Sequence, residues 1–231
     1  MITDAALILA AGGSGTRYGG NKLFALLCNV PVVIHSVRRL GRLFPEACRI
    51  MAVPEALEKD FAEMLQQYAP EIPFRLVRGG STRTESVQNA LAAVPEHVRY
   101  IAIHDAARPL APAELLYSVL AAARETGGAI PGRAVMDTLK RVNSDHLTEE
   151  TIPRDRVYAV ETPQCFEIAR LQEAFRRCPD SLTDDAGTME AAGFPVQIVP
   201  NPGFNLKLTC REDLVLLEKL LQVQENKGKI L

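Results

Sequence analysis

Residues 5–22 read AALILAAGGSGTRYGGNK, an apolar run followed by a glycine-rich loop that carries two cations. The apolar run shows no polar alternation, which is typical of a strand covered on both faces in a parallel sheet. The loop holds five glycines, and residues without Cβ let backbone N–H groups close around an anion. Arg17 and Lys22 can neutralise phosphate oxygens. The stretch therefore predicts a strand followed by a polyphosphate cradle for a nucleoside triphosphate.

Two familiar nucleotide-binding loops do not fit this stretch. Gly15 and Gly20 have the glycine spacing of a Walker A loop, but Asn21 separates Gly20 from Lys22 and no Ser or Thr follows. The dinucleotide pattern G-x-G-x-x-G fails because Tyr18 stands where its third glycine belongs. On spacing alone, a glycine turn with solvated charges remains an alternative to phosphate binding.

The bulk composition describes an ordinary folded protein. The chain has 231 residues, of which 47% are hydrophobic and 23% charged, and these values favour a single folded domain over disorder. A net charge of -2 and a pI near 6.1 disfavour nucleic acid as a partner. No run approaches the roughly 18 apolar residues of a membrane span. Five scattered cysteines fit reduced thiols, so we expect a cytoplasmic protein.

Strands and helices alternate through the first half of the chain. Apolar runs predict strands, and apolar residues spaced three and four apart predict amphipathic helices. This alternation predicts βαβ units and therefore a Rossmann-like α/β fold, a mostly parallel twisted sheet with helices on both faces. The predicted strands are 5–11, 48–53, 74–77 and 100–103, and the predicted helices begin at Pro31, Leu57, Thr82 and Pro112.

Three unusual loops follow the first, third and fourth predicted strands. They are the glycine-rich loop, RGGST (78–82) and HDAARP (104–109). Because ligands bind beyond the carboxyl ends of parallel strands, these loops should meet at one edge of the sheet. Asp105 ends a buried strand, where its carboxylate would suit Mg²⁺ or would cap the next turn. His104 is predicted to be a structural histidine.

The alternating pattern changes at residues 129–162. Residues 135–142 predict one strand, 143–145 a turn, and 147–152 the returning strand. We interpret this excursion as a β-hairpin arm of a single domain, and it is a candidate contact with a second subunit.

The last part of the chain predicts a mixture of helices and short strands. The predicted helices are 167–177, 184–192 and 211–223, and the predicted strands are 196–199 and 205–208. Lys207 lies in the apolar segment FNLKL, and an inward lysine needs an anion. Asp184 and Asp185 suggest a metal pair, but Thr183 before them makes a helix cap and first turn the better interpretation.

Several motifs occur together in an order typical of one family. The most specific is IAIHDAARPL (101–110), accompanied by ILAAGGSGTR, GGSTRTESV, DTLKR, ETPQCF, TDDAGTMEAAG and FNLKLT. The chain resembles the 2-C-methyl-D-erythritol 4-phosphate cytidylyltransferase family over nearly its whole length. The resemblance implies that an alcohol phosphate attacks the α-phosphate of CTP, giving a CDP-alcohol and pyrophosphate. Such a transfer needs alignment and charge neutralisation.

The same resemblance implies roles for particular residues. The catalytic cations would be Arg17, Lys22 and Lys207. The CTP-binding residues would be Ala11, Gly12, Gly13, Gly79, Gly80, Ser86 and Asp105, with Asp105 also holding Mg²⁺. The alcohol-phosphate site would comprise Arg108, Thr138, Lys140, Arg154 and Thr162. The arm would cross to the partner of a homodimer, so that Arg154, with Arg156 as the alternative, would serve the partner's site.

The chain departs from the family pattern at Asn21-Lys22-Leu23, where the family usually has Pro-Lys-Gln. Three alternative functions stay open at this point. A ribitol 5-phosphate cytidylyltransferase would share the fold and chemistry. A non-catalytic nucleotide-binding module would need no cations that stabilise a transition state. A transferase of the same class would use UTP or another nucleotide in place of CTP.

Overall fold

The computed structural model describes residues 1–12, 18–178 and 183–228. Its strands are β1 (Ala5–Ala10), β2 (Leu26–Leu27), β3 (Val30–Pro31), β4 (Arg49–Val53), β5 (Arg75–Arg78), β6 (Tyr100–Asp105), β7 (Gly128–Ala134), β8 (Leu139–Val142), β9 (Thr148–Ile152), β10 (Tyr158–Val160), β11 (Gln164–Glu167) and β12 (Gln197–Pro200). Its α-helices are α1 (Val32–Leu40), α2 (Glu58–Tyr68), α3 (Arg83–Leu91), α4 (Ala113–Thr126), α5 (Ile168–Arg177), α6 (Asp185–Ala191) and α7 (Glu212–Gly228).

Eight of these strands form one mixed, mostly parallel sheet. At its centre β1 pairs in parallel with β4 and β6, and β4 pairs in parallel with β5. Beyond β6 the antiparallel strand β11 intervenes and also pairs with β7. Strand β7 also pairs in parallel with β12 and antiparallel with β10. The α/β class and the mostly parallel sheet predicted from the sequence are confirmed.

The central strand β1 is covered on both faces of the sheet. Residues Ala5 to Leu9 all have 0% exposure. Because neighbouring residues of a strand point to opposite faces, apolar packing must lie on both sides. Burial of this continuous apolar run explains why β1 lacks the alternation of a half-exposed strand.

Local sequence signals account for where the site-bearing helix begins and where the next helix ends. At the start of α3 the Thr82 hydroxyl accepts from the Glu85 N–H. The Glu85 carboxylate in turn accepts from the Thr82 N–H, and the two bonds form a capping box. Helix α4 ends at Gly127, whose φ of 89° lies in the left-handed region that glycine adopts readily. The capping box sets the direction of the RGGST loop at the edge of the sheet.

Several predicted boundaries were wrong. Strands β7, β10 and β11 were not predicted, and β8 begins at Leu139 rather than at residue 135. Residues 205–208 form no strand, because their hydrogen bonds go to loops around the site instead of to a neighbouring strand. The cap of α6 is Asp184 rather than Thr183, since the Asp184 carboxylate accepts from the Gly187 N–H at 3.0 Å.

The hairpin of the arm is present, as its own two-stranded sheet. Strands β8 and β9 pair antiparallel outside the main sheet. The flanking strands β7 and β10 belong to the main sheet. We use the name arm for residues 135–157, which lie between those two strands.

Candidate active site

A cavity of about 320 Å³ lies where the three unusual loops meet. The first loop contributes Gly12, and the third contributes Asp105 and Ala107. The second contributes the stretch from Gly80 to Arg83, together with Ser86. Lys22 and Lys207 complete the polar lining. The structure thus confirms that the loops after β1, β5 and β6 gather at one edge of the sheet.

The RGGST loop is held close to α3 by the short side chain of Ser86. The Ser86 hydroxyl accepts from the Gly80 N–H at 3.0 Å and donates to the Thr82 carbonyl at 2.9 Å. A Cβ at Gly80 would lie 2.1 Å from the Cβ of Glu85, so only glycine permits this approach. The loop therefore presents its backbone to the cavity in one conformation.

Asp105 is surrounded by three cations. Its Oδ2 lies 2.7 Å from Lys207 Nζ and 3.7 Å from Arg108 Nε, and its Oδ1 lies 3.8 Å from Arg83 Nε. Burial opposes ionisation of this carboxyl, but the attraction of Lys207, Arg83 and Arg108 outweighs it and lowers the pKa of Asp105 to about 2. The carboxylate is therefore ionised throughout the neutral range.

Arg83 is also held from the side away from Asp105. Its Nη1 lies 2.7 Å from Oδ2 of Asp185, a residue that is 1% exposed in the first turn of α6. Burial raises the pKa of Asp185, and the nearby Arg83 opposes that rise. No signal in the sequence singled out Arg83, and Asp185 was predicted only as part of a helix cap and first turn. Pairing of the two depends on how α3 and α6 meet, which local patterns do not encode.

A buried hydrogen-bond network lies directly behind Asp105. The Asp105 N–H donates to the Thr162 hydroxyl at 3.0 Å, and that hydroxyl lies 3.0 Å from His104 Nδ1. His104 Nε2 lies 3.1 Å from the Arg108 carbonyl oxygen. His104 has 0% exposure, and this burial lowers the pKa of the imidazole to about 4, so the ring is neutral at pH 7. We call His104, Thr162 and Asn205 the buried frame.

Asn205 links the buried frame to the segment that carries Lys207. Its side-chain amide donates to the Thr162 carbonyl at 2.7 Å, and its own carbonyl accepts from Arg108 Nη1 at 2.6 Å. The Leu208 N–H donates to the Ala107 carbonyl at 2.8 Å. These bonds position Lys207 beside Asp105 although its segment is not a strand.

Comparison with known proteins identifies the family. The sequence profile of IspD, described as 2-C-methyl-D-erythritol 4-phosphate cytidylyltransferase, matches residues 5–223. The chain belongs to this family. The resemblance seen in the sequence is confirmed, and with it the prediction of a nucleotidyltransferase enzyme.

Individual relatives agree with this assignment. A 2-C-methyl-D-erythritol 4-phosphate cytidylyltransferase of Bacillus thuringiensis is 38% identical over 95% of this chain and 98% of its own. One from Rhodopirellula baltica is 39% identical over 93% of each chain. The crystal structure of the Thermus thermophilus enzyme superposes with a TM-score of 0.77 at 29% identity, covering 94% of this chain and 98% of its own. These names favour the methylerythritol prediction over the ribitol and non-catalytic alternatives.

The residues that the cytidylyltransferase resemblance assigns to catalysis and to CTP binding fall into three groups. Gly12, Lys22, Gly80, Ser86, Asp105 and Lys207 line the cavity. Ala11 is buried, with its N–H donating to the Ala52 carbonyl, and Gly79 packs against Ser86 Oγ. Gly13 and Arg17 lie outside the described residues.

The residues assigned to the alcohol phosphate are divided between the pocket and the arm. Arg108 and Thr162 adjoin Asp105. Thr138, Lys140 and Arg154 are exposed on the arm, away from the cavity lining. Lys140 donates to the Thr151 hydroxyl at 2.6 Å, and Arg154 donates to the Met136 carbonyl. One chain of this cytidylyltransferase family member therefore does not bring the whole predicted alcohol-phosphate set together.

Asp105 is the only predicted metal ligand, and its surroundings set a condition on metal binding. No cluster of three or more His, Cys, Asp or Glu side chains occurs within residues 1–12, 18–178 and 183–228. One ionised carboxylate fits Mg²⁺, which binds with one or two carboxylates when phosphate oxygens and water supply the other ligands. With three cations around Asp105, the fit requires the negative charge of a bound nucleotide.

Proposed function

We propose that this chain transfers the cytidylyl group of CTP to 2-C-methyl-D-erythritol 4-phosphate. A phosphate oxygen of the alcohol phosphate forms the new bond to the α-phosphorus. The bond from that phosphorus to the bridging oxygen breaks, and pyrophosphate leaves with the electron pair. The products are 4-diphosphocytidyl-2-C-methyl-D-erythritol and pyrophosphate. The observation that carries the proposal is the cavity that unites Lys22, Asp105 and Lys207 beside the glycine loops of this family.

The cations of the pocket act on charge that builds up during the transfer. We assign Lys22, with Arg17, to the triphosphate and the departing pyrophosphate. We assign Lys207 to the α-phosphate, where negative charge increases as the alcohol phosphate attacks. Positively charged groups that already lie in place stabilise such charge without reorganisation. The bonds of the Asn205 and Leu208 segment to the loops of the pocket support this role, because they hold Lys207 beside Asp105.

The RGGST loop is assigned to the cytosine base. Gly80 lines the cavity without a side chain, and Ser86, which accepts from the Gly80 N–H, holds it in one conformation. The Gly79 N–H donates to the Val53 carbonyl, so both N–H groups are used within the chain. The loop would therefore recognise the base through backbone carbonyl oxygens, which can accept from the amino group of cytosine. CTP is therefore the expected nucleotide, and UTP differs at the position where cytosine carries its amino group.

Asp105 is assigned to Mg²⁺. A divalent cation bound with the triphosphate would supply charge neutralisation and would orient the phosphates. Asp105 contributes an oxygen that stays ionised at neutral pH. Arg108 lies beside it, with its Nε 3.7 Å from Asp105 Oδ2, and no described residue accepts a hydrogen bond from this buried Nε. A cationic donor of this kind supports binding of the phosphate of the second substrate.

We assign the arm to a second copy of the chain. Thr138, Lys140 and Arg154 are exposed, and the arm also exposes Met136 and Leu147, with 76% and 65% of their surfaces accessible. Large apolar side chains so exposed favour contact with a protein surface. In the proposed homodimer, Arg154 of one chain binds the alcohol phosphate in the pocket of the other.

The cytoplasm is the proposed compartment. None of the five cysteines, all within the described ranges, forms a disulfide, which is typical of a reducing environment. None of the helices in the described ranges has the length and apolar character required to cross a membrane.

The test is pyrophosphate release by the full-length chain with CTP, Mg²⁺ and either 2-C-methyl-D-erythritol 4-phosphate or ribitol 5-phosphate. We expect faster turnover with the methylerythritol substrate and no release without an alcohol phosphate. Faster turnover with ribitol 5-phosphate would overturn the substrate assignment. Release with neither substrate would overturn the enzymatic assignment.

Two further arms of the same experiment sharpen it. Replacement of CTP by UTP, ATP or GTP should lower kcat/KM, and equal use of UTP would remove the base assignment. The Lys207→Ala variant, purified in parallel, should show almost no release. Equal release by that variant would trace the activity to a contaminating enzyme.

A further inference from the structure

We propose that His104 is a positioning residue for this transfer, because it accepts a hydrogen bond from the Thr162 hydroxyl. That hydroxyl therefore cannot donate a hydrogen bond into the pocket. The inference rests on the proposed function for its kinetic consequence only. The ring nitrogens of His104 face Arg108 and Thr162, neither of which the resemblance assigns to CTP. The sequence predicted only a structural histidine. Its partners give it a more specific task.

The two ring nitrogens of His104 face different kinds of group. Nε2 lies 3.1 Å from the Arg108 carbonyl oxygen, which can only accept a hydrogen bond. Nε2 must therefore carry the ring hydrogen. In a neutral imidazole Nδ1 is then an acceptor, and the group facing it at 3.0 Å, the Thr162 hydroxyl, must donate.

The Thr162 hydroxyl is thereby almost fully used. Its proton goes to His104 Nδ1, and one lone pair receives the Asp105 N–H at 3.0 Å. A hydroxyl has one proton and two lone pairs, so a single lone pair is left. Thr162 can accept from a hydroxyl group of the alcohol but has no proton for a phosphate oxygen. Its contribution to phosphate binding is indirect, through the position of Asp105.

The second bond of His104 acts on the other end of the same turn. Its Nε2 holds the Arg108 carbonyl, and the Arg108 N–H donates to the Asp105 carbonyl at 2.9 Å. One buried ring thus restrains the backbone on both sides of the turn that bears Asp105 and Arg108. Asp105 Oδ2 lies 2.7 Å from Lys207 Nζ and 3.7 Å from Arg108 Nε, so a displaced turn would misalign the charges around the reacting phosphate.

Two substitutions separate the two bonds of the ring. In His104→Asn the amide oxygen can occupy the place of Nδ1 and still accept from Thr162, but the bond to the Arg108 carbonyl is lost. In His104→Gln the amide nitrogen reaches the place of Nε2, but Thr162 loses its acceptor. In His104→Gln the Thr162 hydroxyl must turn to another acceptor, which loosens its bond to the Asp105 N–H. Because the loss of one hydrogen bond changes a rate by up to about tenfold, we expect kcat to fall by about tenfold in this variant. In His104→Asn the bonds of Thr162 are kept and only the restraint on the Arg108 carbonyl is lost, so kcat should fall by no more than about threefold.

The matched control is His35→Asn. His35 is half-buried in α1 and its Nε2 lies 2.9 Å from the Leu27 carbonyl, and the shorter Asn amide does not reach the place of Nε2, so the control removes a similar histidine–carbonyl contact outside the cavity lining. We expect its kcat to equal that of the wild type. Equal values of kcat for His104→Asn and His104→Gln would overturn the proposal, because a merely structural histidine would not distinguish them.

A spectroscopic measurement on the wild-type chain tests the proposal even if a variant fails to fold. Nitrogens with and without a hydrogen have different ¹⁵N chemical shifts, and the chain has four histidines. With ¹⁵N-labelled histidine at pH 7, His104 should show hydrogen on Nε2 and none on Nδ1. Hydrogen on Nδ1 would overturn the proposal. This result does not depend on turnover, so a failure of the proposed function and a failure of this inference are distinguishable.

Discussion

The pocket and the arm each contain an arginine–carboxylate pair at nearly the same distance, in opposite surroundings. Arg83 and Asp185 lie 2.7 Å apart, with the Asp185 side chain 1% exposed. Arg141 and Glu150 of the arm lie 2.6 Å apart, with side chains 60% and 54% exposed. Water screens both members of the second pair, whereas in the first it reaches only the arginine, whose side chain is 28% exposed. The distances are alike, but the energetic consequences of breaking the pairs should differ severalfold.

The difference shows how the site is divided. Pocket charges are coupled to one another through Asp105 and are supported by buried hydrogen bonds within one chain. Arm charges contact only their neighbours on the arm. This division agrees with the proposal that one chain holds the nucleotide and that the arm serves the pocket of a second chain.

The most severe way to break the pocket is to remove Lys207. We expect Lys207→Ala to lower kcat by roughly two to three orders of magnitude, because preorganised charge at the α-phosphate is lost. Steady-state kinetics with both substrates measures the effect. Lys59→Ala, at an 87% exposed lysine outside the pocket, is the control and should keep the wild-type rate. A wild-type kcat in Lys207→Ala would remove this residue from the site.

The comparison of the two ion pairs predicts a large loss of stability at Arg83. The Arg83→Met variant leaves the Asp185 carboxylate buried without its partner, which should lower the free energy of unfolding by about 3 kcal/mol. Urea denaturation measures the difference. The double variant Arg83→Met/Asp185→Leu removes both charges and should recover most of the loss. If Arg83→Met were as stable as the wild type, the Arg83–Asp185 pair would not behave as a buried ion pair.

The arm should affect the second substrate rather than the nucleotide. In Arg154→Ala, loss of a charge-assisted hydrogen bond should raise KM for the alcohol phosphate by roughly tenfold to a hundredfold, with little change in KM for CTP. Arg141→Ala on the same arm is the matched control and should change neither KM. A change confined to KM for CTP would contradict the assignment of Arg154.

Mixing two variants with different defects tests whether the arm acts across subunits, provided that the alcohol phosphate is kept far below the raised KM of Arg154→Ala. Equal amounts of Arg154→Ala and Lys207→Ala chains, allowed to exchange, should regain about a quarter of the wild-type activity, since each mixed dimer contains one intact site. If Arg154 serves its own chain, mixing should restore nothing. Sedimentation velocity on the same samples reports the oligomeric state.

The exposed pair should give the smallest effect. A double-mutant cycle on Arg141 and Glu150 should show a coupling of no more than about 0.5 kcal/mol, decreasing further at high salt. Thermal or urea unfolding of the four variants supplies the values. A coupling as large as that of Arg83 with Asp185 would invalidate the comparison between pocket and arm.

Sequence patterns predicted the parts of the fold that follow from local rules. The strand at the apolar run of β1 and the helix start at Thr82 follow from local signals, and both were found. Strand β7, with the sequence GAIPGRA, contains two glycines and a proline and resembles a loop. It forms a strand because β10, β11 and β12 pair with it from distant parts of the chain.

The site was predictable where charge and position coincide. Asp105 at the end of a buried strand and Lys207 in an apolar segment both signalled function, and they lie 2.7 Å apart. Arg83 with Asp185 and His104 with Thr162 were missed as pairs, because more than fifty residues separate the partners in each case. Such pairings depend on tertiary packing, and a single residue of either type gives no local signal.

In the Lys207–Asp105 pair, each charged group of the pocket serves as the counterion of the other. An incoming anion can pair with Lys207 only if it displaces Asp105 from that lysine. A single small anion therefore has little advantage over the carboxylate already in place. A polyphosphate that carries a divalent cation is different, since it brings an anion for Lys207 and a cation for Asp105 together. Discrimination between simple phosphate and a metal-bound nucleotide would thus be a matter of ion exchange, decided by two side chains that lie 2.7 Å apart.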